Sequence, residues 1–404
     1  MTSSRSALAF VLLTVFIDSL GWGVILPSLP TVIMDLTGEP IATAAAWGGY
    51  LMAVYAGLQF FLAPVFGNLS DRFGRRPLLL GSLFAFGVDF LLTGLAPSIT
   101  WLFVGRAFAG IFGASFAAAS AYVADISDES NRARNFGFIG AAWGSGFTLG
   151  PVIGSHVLEL WGPRAPFFMA AAFALANVLF GIFVLKESLP AERRRKFEWL
   201  RANPLGALRS LGHLPMVSGL LLAVFFYQVA HDSLPAVWMY FTQEKFGWTP
   251  AQMGWSLTFV GIMTLIVMGG LTGLIVPRLG ERRAIALGFT MLSLGFLAYA
   301  LVPYGWMLYP AIVFGSLGGI ANPAMQSVMS AQAGPSAQGE LQGALASIAS
   351  LAAIISPIFM TQLFSRFSAA DAPVYLPGAP FLVSAVLVCG CVAITWRATR
   401  PSPA

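Results

Sequence analysis

Charged side chains are scarce in this chain. Asp, Glu, Lys and Arg make up 10% of its 404 residues, whereas 57% of the residues are hydrophobic. A soluble domain carries about a quarter charged residues, so this composition indicates a membrane protein. Cysteine is scarcer still: the two present, Cys389 and Cys391, point in different directions on a helix and predict neither a disulfide framework nor a metal site.

Two further absences bear on function. No Walker-type glycine loop occurs, so the sequence offers no sign of ATP binding, and no nucleophile motif or metal-ligand spacing points to an intramembrane enzyme. Lys and Arg outnumber Asp and Glu by 22 to 17, but these bases only flank apolar runs, so we expect no nucleic-acid partner. We therefore expect a membrane protein that is not an enzyme and has no cofactor.

Twelve apolar runs are long enough to cross a bilayer as helices, for which about 20 residues are needed. They are Ala7 to Leu29, Ala44 to Phe66, Leu78 to Ala96, Thr100 to Tyr122, Asn135 to Val157, Ala165 to Leu185, Met216 to Tyr240, Gln252 to Val276, Ala284 to Val302, Trp306 to Met329, Leu341 to Leu363 and Ala379 to Trp396. The first run is too long for a signal-peptide core, so we count it as a retained span. The chain is thus predicted to be an all-α membrane protein with twelve transmembrane helices.

Positive charges orient these spans. With the N-terminus placed inside, 18 of the 22 Lys and Arg residues fall in inner loops or tails and three in outer loops, with Arg106 inside a helix. The positive-inside rule therefore places both termini in the cytoplasm. The longest hydrophilic stretch predicts an N-terminal half over 1–185, a cytoplasmic linker over 186–213 and a C-terminal half over 214–404. Asn203-Pro204 predicts the start of a short helix in the linker.

A segment that contains several charged residues and two glycines, GNLSDRFGRRPLLL, joins the second and third runs. Its glycines suit a tight turn and a close backbone approach, its acid can accept from backbone donors or arginines, and its arginines hold the turn at the inner surface. The residues are Gly67, Asp71, Arg72, Gly74, Arg75 and Arg76. We interpret them as a latch between the two halves.

A worn copy of this stretch follows the eighth run. It consists of Gly273, Arg278, Gly280, Glu281, Arg282 and Arg283. The copy indicates that the chain has two pseudo-symmetric six-helix halves. Transporters built from repeats bind their substrate near the bilayer midplane and work by alternating access.

Small residues recur in the fifth run. Gly137, Gly146, Gly150, Pro151 and Gly154 follow the spacing G-x8-G-x3-G-P-x2-G. We interpret the glycines as one flat helix face on which another helix packs closely, with Pro151 adding a bend. The spacing leaves open whether this face bears on transport direction or serves packing alone.

Charged groups inside the runs are candidates for function, because each costs about 2.5 to 3.5 kcal/mol at a helix centre unless it is paired or hydrated. These residues, with an adjacent histidine, are Asp18, Asp89, Arg106, His231 and Asp232. A carboxylate in a wet cavity suits proton coupling, and His231-Asp232 offers a second proton switch. Arg106 can hold a neighbouring acid ionised or bind an anionic group. A structural ion pair, of Asp18 or Asp89 with Arg106, is the alternative.

Uncharged polar groups lie in two of the runs. Gln59 in the second run and Gln326 in the tenth can orient a substrate or bond a neighbouring helix. Asn322-Pro323 is predicted to interrupt the tenth helix, and broken helices in transporters often line the pathway.

These residues together resemble the major facilitator superfamily, and within it the branch of tetracycline/proton antiporters. The Gly67 stretch matches the superfamily signature G-x-L-x-D-R-x-G-R-[RK]-x-x-x-L, and the fifth run resembles its antiporter motif, with Ser155 in place of the usual final glycine. The branch resemblance runs nearly end to end. It is carried by FIDSLGWGVILPSLP, the Asp89 segment, VGRAFAGIFGA, YVADI, TQEKFGW and GGIANPAMQSVMS.

The resemblance implies a monomeric antiporter of the bacterial inner membrane that exports a small amphipathic compound in exchange for protons. Its partners would be that compound, protons and the bilayer, with the proton gradient in place of a cofactor. In such an antiporter we expect Asp18, Asp89, His231 and Asp232 to couple protons, and Gln59, Arg106, Asn322 and Gln326 to bind substrate. The pair His231-Asp232 is not typical of that branch, so its role is inferred from the residues alone.

The chain departs from that branch at two positions. Tetracycline exporters carry a histidine in helix 8 and an acid in helix 9, where this chain has Thr264 and Leu292. The resemblance therefore leaves the substrate and the proton path open. The alternative is a symporter or facilitator of the same fold for an organic anion, with Arg106 as the anion ligand.

Overall fold

The computed structural model describes residues 2–113, 115–128, 130–195, 197, 218–334 and 337–399. The regular structure of these residues is helical. The α-helices are α1 (Thr2–Ile25), α2 (Leu29–Thr37), α3 (Ile41–Phe73), α4 (Arg75–Gly94), α5 (Ile99–Phe112), α6 (Ser115–Ile126), α7 (Arg132–Trp161), α8 (Ala165–Val184), α9 (Ser218–His231), α10 (Ser233–Phe246), α11 (Pro250–Ile266), α12 (Thr272–Leu279), α13 (Glu281–Leu301), α14 (Leu308–Ser316), α15 (Ala321–Ala333), α16 (Gln338–Ser368) and α17 (Ala379–Ala398). The linker helix predicted at Asn203-Pro204 lies outside the described residues.

Within the described ranges, eleven helical stretches are long and apolar enough to cross a membrane. The tenth predicted run is not among the eleven, but it is helical from Leu308 to Ala333, with a 3-10 segment at Leu317–Ile320. The prediction of an all-α membrane protein with twelve helices is therefore confirmed. Large apolar side chains on the outside, such as Phe183 at 80% exposed and Val386 at 71%, suit contact with lipid.

Prolines account for two of the helix breaks. Pro235 follows His231 by four residues and Pro323 follows Gly319 by four, and a proline ring clashes with the carbonyl four residues before it. The chain leaves α-helical geometry at Asp232 and at Leu317–Ile320 accordingly. Asp232, which we predicted to lie inside a helix, therefore sits at a one-residue break between α9 and α10. The predicted interruption of the tenth span occurs about one turn before Asn322-Pro323.

The helices form two compact units. The first contains the chain up to Glu39, the part from Val54 into the linker, and the start of α11, Pro250–Thr258. The second contains the start of α3, Pro40–Ala53, and the other described residues of the C-terminal part. Thus α3 and α11, the second helices of the two predicted halves, each contribute to both units. The predicted boundaries at 185 and 213 stay a prediction.

Each unit has its own core. In the first, Phe10, Tyr122 and Ile139 are buried in a cluster drawn from α1, α6 and α7. In the second, the ring of Phe381 packs 4.9 Å from Phe241, measured between centroids, within a group of buried aromatic side chains. Buried rings of this kind bring large apolar surfaces into a core.

The glycines of α7 pack against α1. A Cβ added at Gly146 would meet Ser19 and Phe16, one at Gly150 would meet Gly23, and one at Gly154 would meet Val24. Intervals of four residues keep these three glycines near one helix face, so the two backbones approach closely. The predicted packing face is confirmed at these positions.

Gly137 does not belong to this face, and its inclusion was wrong. It is exposed, and no described atom lies within 4 Å of a Cβ built there. The physical reason is the interval of nine residues to Gly146: at about 100° per residue this is two and a half turns, which points Gly137 to the opposite side.

We predict that Gly150→Val destabilises the protein and that Gly137→Val does not. A side chain at Gly150 has to push α7 away from α1, and overpacking of this kind costs about 1–3 kcal/mol or more. Thermal unfolding of the two purified variants would measure the difference, with the same substitution in the same helix as the control. Equal melting temperatures would contradict the assigned face.

Candidate functional site

An ion pair is buried between α4 and α5. Arg106 donates from Nη2 to Oδ2 of Asp89, and the two residues are 6% and 0% exposed. Gly105 gives the carboxylate its space, because a Cβ there would lie 2.8 Å from Oδ1 of Asp89. The hydroxyl of Thr93 approaches the same oxygen at 3.5 Å. Pairing offsets the cost of placing two charges away from water. Asp89 is thus the neighbouring acid that the sequence analysis suggested for Arg106.

A cavity of about 160 Å³ lies within the first unit, next to this pair. Its described lining residues come from α1, α3, α4, α6 and α7 and from the end of α5: Val15, Asp18, Ser19, Trp22, Tyr55, Gln59, Phe86, Gly113, Phe116 and Trp143. The ring of Trp22 connects the cavity to the ion pair, because it lies 5.6 Å from the guanidinium carbon of Arg106 and meets the Tyr55 ring edge-to-face at 5.0 Å. The cavity therefore joins a carboxylate, an amide and several aromatic rings.

Gln59 is fixed by the break in the fourth predicted span. The helix leaves α geometry at Gly113, and Nε2 of Gln59 donates to the carbonyl oxygen of Gly113 at 2.6 Å and to Oη of Tyr55 at 3.2 Å. A carbonyl freed by a helix end needs such a donor. Gln59 thus both bonds a neighbouring helix and lines the cavity, as the two interpretations of the sequence allowed.

The sequence pointed to Asp18, Gln59, Asp89 and Arg106, and the structure brings these four residues together. It adds five aromatic lining residues that the sequence analysis missed: Trp22, Tyr55, Phe86, Phe116 and Trp143. In apolar helices, aromatic residues carry no signal that separates a cavity wall from lipid contact. A larger cavity of about 530 Å³, beside Gln362, Arg366 and Asp371 in the second unit, contains none of the predicted site residues.

The remaining candidates lie in the second unit. Asp232 accepts a hydrogen bond from Nε2 of Gln228 at 2.8 Å, and its Oδ1 lies 3.6 Å from Nδ1 of His231. Gln326 donates to Asn322 one turn earlier, at 3.4 Å. His231 and Asp232 are thus in reach of each other across the break after α9.

The two positions that differ from the tetracycline branch offer no ionisable group. The hydroxyl of Thr264 donates to the carbonyl of Val260 in its own helix at 2.9 Å. Leu292 is 9% exposed and packs where a Cβ on Gly318 would be. Neither Thr264 nor Leu292 can take up and release a proton near neutral pH.

The Gly67 stretch turns at a single residue. Gly74 links α3 and α4 at φ +107, a conformation that side chains rarely adopt. Gly67 was expected in the turn, which is wrong: it lies inside α3 and is exposed, because that helix continues to Phe73.

Glu187, at the start of the linker, caps α4. Its carboxylate accepts hydrogen bonds from the backbone N–H groups of Arg75 at 2.8 Å and of Arg76 at 3.3 Å, and a Cβ on Gly74 would collide with it. These N–H groups have no partner within the helix, so a carboxylate from elsewhere in the chain stabilises them. Further along, the backbone N–H of Arg195 donates to the carbonyl of Asp71 at 3.0 Å. We call Glu187–Arg195 the strap.

Side chains of the same stretch form a charge network with α6. Arg75 bonds Asp71 through Nη1 at 2.7 Å and Asp125 through Nε at 3.2 Å. The hydroxyl of Ser188 donates to Asp125 at 3.1 Å. The predicted pairing of Asp71 with arginine is therefore present, within the first unit.

The worn copy, Gly273 to Arg283, shares the glycine turn and one arginine contact with the Gly67 stretch. Gly280, at φ +75, links α12 and α13 as Gly74 links α3 and α4. Arg76 donates from Nη2 to the carbonyl of Ile182 near the end of α8, and Arg282 donates from Nη2 to that of Trp396 near the end of α17. Both arginines satisfy carbonyls at a helix C-terminus, where cations are favoured.

Comparison with known proteins agrees with this architecture. The family model described as Major Facilitator Superfamily matches residues 11–357 and 220–404. The chain belongs to this superfamily. The Tetracycline resistance protein, class C, of Escherichia coli is 37% identical over 390 residues, which cover 96% of each chain. The class B protein of Escherichia coli is 34% identical and covers 90% of this chain and 89% of its own.

Solved structures show the same fold. The human organic anion transporter MFSD10 (TETRAN) matches with a TM-score of 0.69 at 23% identity, covering 97% of this chain and 99% of its own. A bacterial homolog to the human lysosomal transporter Spinster matches with a TM-score of 0.78 at 16% identity, covering 100% and 99%. The chain is thus a multi-pass membrane protein of a transporter family.

We predict that Asp89→Leu lowers stability more than the double variant Asp89→Leu with Arg106→Met. Removing one partner of a buried pair leaves an unpaired charge and costs about 3–5 kcal/mol, whereas apolar replacement of both is often nearly neutral. Thermal unfolding of the single and double variants would test this. A double variant less stable than the single one would contradict the pairing.

We also predict that Glu187→Ala exposes the start of α4. Loss of a capping side chain costs about 0.5–2 kcal/mol, and the amides of Arg75 and Arg76 should exchange hydrogen faster. Hydrogen exchange by mass spectrometry would report on peptides that contain these amides. Glu192→Ala, a matched change in the same strap, is the control; equal exchange in both variants would argue against the cap.

Proposed function

We propose that this chain is a proton-coupled antiporter that exports a small amphipathic organic compound, a drug or a tetracycline-like molecule, by alternating access. The observation that carries the proposal is the cavity of the first unit, where Asp18 and Gln59 lie among aromatic rings beside the Asp89–Arg106 pair. A pocket that is mostly apolar, with few polar groups to orient the ligand, suits an amphipathic molecule. The tetracycline resistance proteins among its relatives support the same function.

In this proposal Asp18 exchanges its proton for substrate. A carboxylate that lines a cavity can take up a proton on one side of the membrane and release it on the other. By linkage, the bound proton changes the affinity for substrate by the same factor as the bound substrate changes the affinity for the proton. Asp89 contributes through its pairing with Arg106, and Gln59 orients the substrate. His231 and Asp232 are a second proton site, and Asn322 and Gln326 contribute polar groups from the second unit.

The proton gradient drives the exchange, so the proposal needs no cofactor. We place the protein in the bacterial inner membrane as a monomer, with both termini in the cytoplasm, because the bases of the sequence fall on that side. Its partners are the exported compound, protons and the surrounding lipid. The Gly67 stretch serves as a latch between the halves.

The alternative, transport of an organic anion with Arg106 as its ligand, receives less support. The guanidinium of Arg106 is buried and already donates to Asp89. An anionic substrate would have to displace the carboxylate of Asp89 from Arg106. Among the described salt bridges, Arg106 is the one cation that pairs with Asp89. A likeness to an organic anion transporter at 23% identity concerns the fold alone.

Flux in proteoliposomes would test the proposal. With an acidic lumen, wild-type protein should accumulate labelled tetracycline as protons leave, and nigericin, which collapses the gradient, should abolish the accumulation. Asp18→Asn should reduce the gradient-driven uptake to background because the amide cannot carry the proton. Asp35→Asn, the same change at an exposed residue of α2, serves as the control.

Two outcomes would contradict the assignment. Tetracycline flux that is present but ignores the gradient would show that proton coupling is wrong. Full coupled flux in Asp18→Asn, together with its loss in Asp232→Asn, would place the proton site in the second unit.

A further inference from the structure

The cavity of about 530 Å³ in the second unit has no role in the proposed export. Its described walls come from the last turns of α16 and from the segment that follows this helix. The volume falls within the roughly 300–1,000 Å³ of pockets that hold small ligands. The cavity is therefore large enough for a ligand of its own.

Two opposite charges line this cavity. Arg366 and Asp371 are the charged groups among its described lining residues, and both are exposed. In the part of the chain that the structure describes, neither side chain takes part in a salt bridge or a hydrogen bond. A ligand that carries one negative and one positive group, and is neutral as a whole, would be complementary to both residues.

The α16 wall of the cavity changes from apolar to polar along one helix face. Phe359, Leu363 and Arg366 follow one another at intervals of four and three residues, which keeps them on the same side of the helix. At 1.5 Å per residue, Phe359 lies about 10 Å further inside the membrane-spanning helix than Arg366. Its ring is 45% exposed and suits contact with lipid chains, whereas an arginine near a helix end places its charge at the bilayer surface. The ligand that matches this wall has a charged head and an apolar tail.

The segment that carries Asp371 is held in place within the second unit. The N–H group of Leu376 donates to the carbonyl oxygen of Phe367 at 2.8 Å. The hydroxyl of Tyr375 donates to Oε1 of Glu244 in α10 at 3.0 Å. Because these bonds order the wall before a ligand arrives, they reduce the entropy cost of binding.

We infer that this cavity binds the headgroup of a zwitterionic phospholipid with a primary ammonium group, as in phosphatidylethanolamine. Arg366 binds the phosphate, because a guanidinium matches the geometry of phosphate oxygens. Asp371 accepts hydrogen bonds from the ammonium group, and an acyl chain lies along the Phe359 side of α16. The inference concerns a site in the second unit and does not depend on the proposed export.

Hydrogen exchange by mass spectrometry tests the headgroup preference on the full-length protein in nanodiscs. Nanodiscs of phosphatidylcholine alone are compared with nanodiscs in which part of this lipid is replaced by phosphatidylethanolamine or phosphatidylglycerol with the same acyl chains. The ammonium group of phosphatidylcholine has no N–H donor, and phosphatidylglycerol has no cation. The hydrogen-bonded amides of Ala372 and Leu376 report on the cavity wall. With phosphatidylethanolamine they should exchange at least about threefold more slowly than with either other lipid, because a bound ligand stabilises the folded segment.

Variants assign the effect to the two charges. Asp371→Asn and Arg366→Gln should each remove the difference between phosphatidylethanolamine and phosphatidylcholine, because each leaves one group of the headgroup without its partner. Asp35→Asn in α2 and Arg283→Gln in α13 are the matched controls at exposed positions and should keep the full difference. The comparison of lipids on the wild-type protein stands even if one variant does not fold.

Equal exchange with all three lipids, or slowest exchange with phosphatidylglycerol, would overturn the inference. So would a preference for phosphatidylethanolamine that survives in both Asp371→Asn and Arg366→Gln. Soluble glycerophosphoethanolamine, added to phosphatidylcholine nanodiscs, separates a lipid from a free zwitterion and should slow the exchange far less than the lipid does. If it slows the exchange as much as the lipid, the site binds a free zwitterion and the assignment to a phospholipid is wrong.

Discussion

A charge that lies inside a membrane protein has to find an opposite charge there, and the pair of Arg106 and Asp89 meets this requirement in the first unit. The pair determines the chemistry of its surroundings. Gly105 is small because the carboxylate of Asp89 occupies the space of a side chain, and Trp22 packs its ring beside the guanidinium. Asp18 is the acidic residue in the described wall of the neighbouring cavity.

Much of this arrangement could be predicted from residue types in an apolar context. Asp18, Asp89 and Arg106 stand out because charge is expensive in a membrane helix, and Gln59 stands out for a similar reason. The pairing of Asp89 with Arg106 could not be singled out from the sequence, because it depends on how α4 and α5 pack. The aromatic wall was missed for a different reason: a tryptophan in an apolar run is equally suited to lipid, to a core and to a cavity.

The errors have equally specific causes. Gly137 was grouped with the other glycines of α7, although it lies nine residues, or about two and a half helical turns, before Gly146. Counting the residues is enough to show that the two point to opposite sides of the helix. The break at Asp232 was foreshadowed by Pro235, four residues after His231. Gly67 shows a limit of motif matching, because a shared signature identifies the turn but not the residue at which the helix ends. Of the glycines in this stretch, Gly74 is the one that the backbone requires, at φ +107.

The strap shows that the first unit also depends on residues beyond the end of α8, the sixth membrane-spanning helix. Glu187 and the backbone of Arg195 belong by their hydrogen bonds to α3 and α4, although both lie in the hydrophilic stretch that seems to be a connector. If the gene were divided so that the two parts could be made as separate chains, the cut would belong after Arg195. A cut at residue 185 would leave the first chain with an uncapped helix at the Gly74 turn and the second with a strap that has nothing to bind.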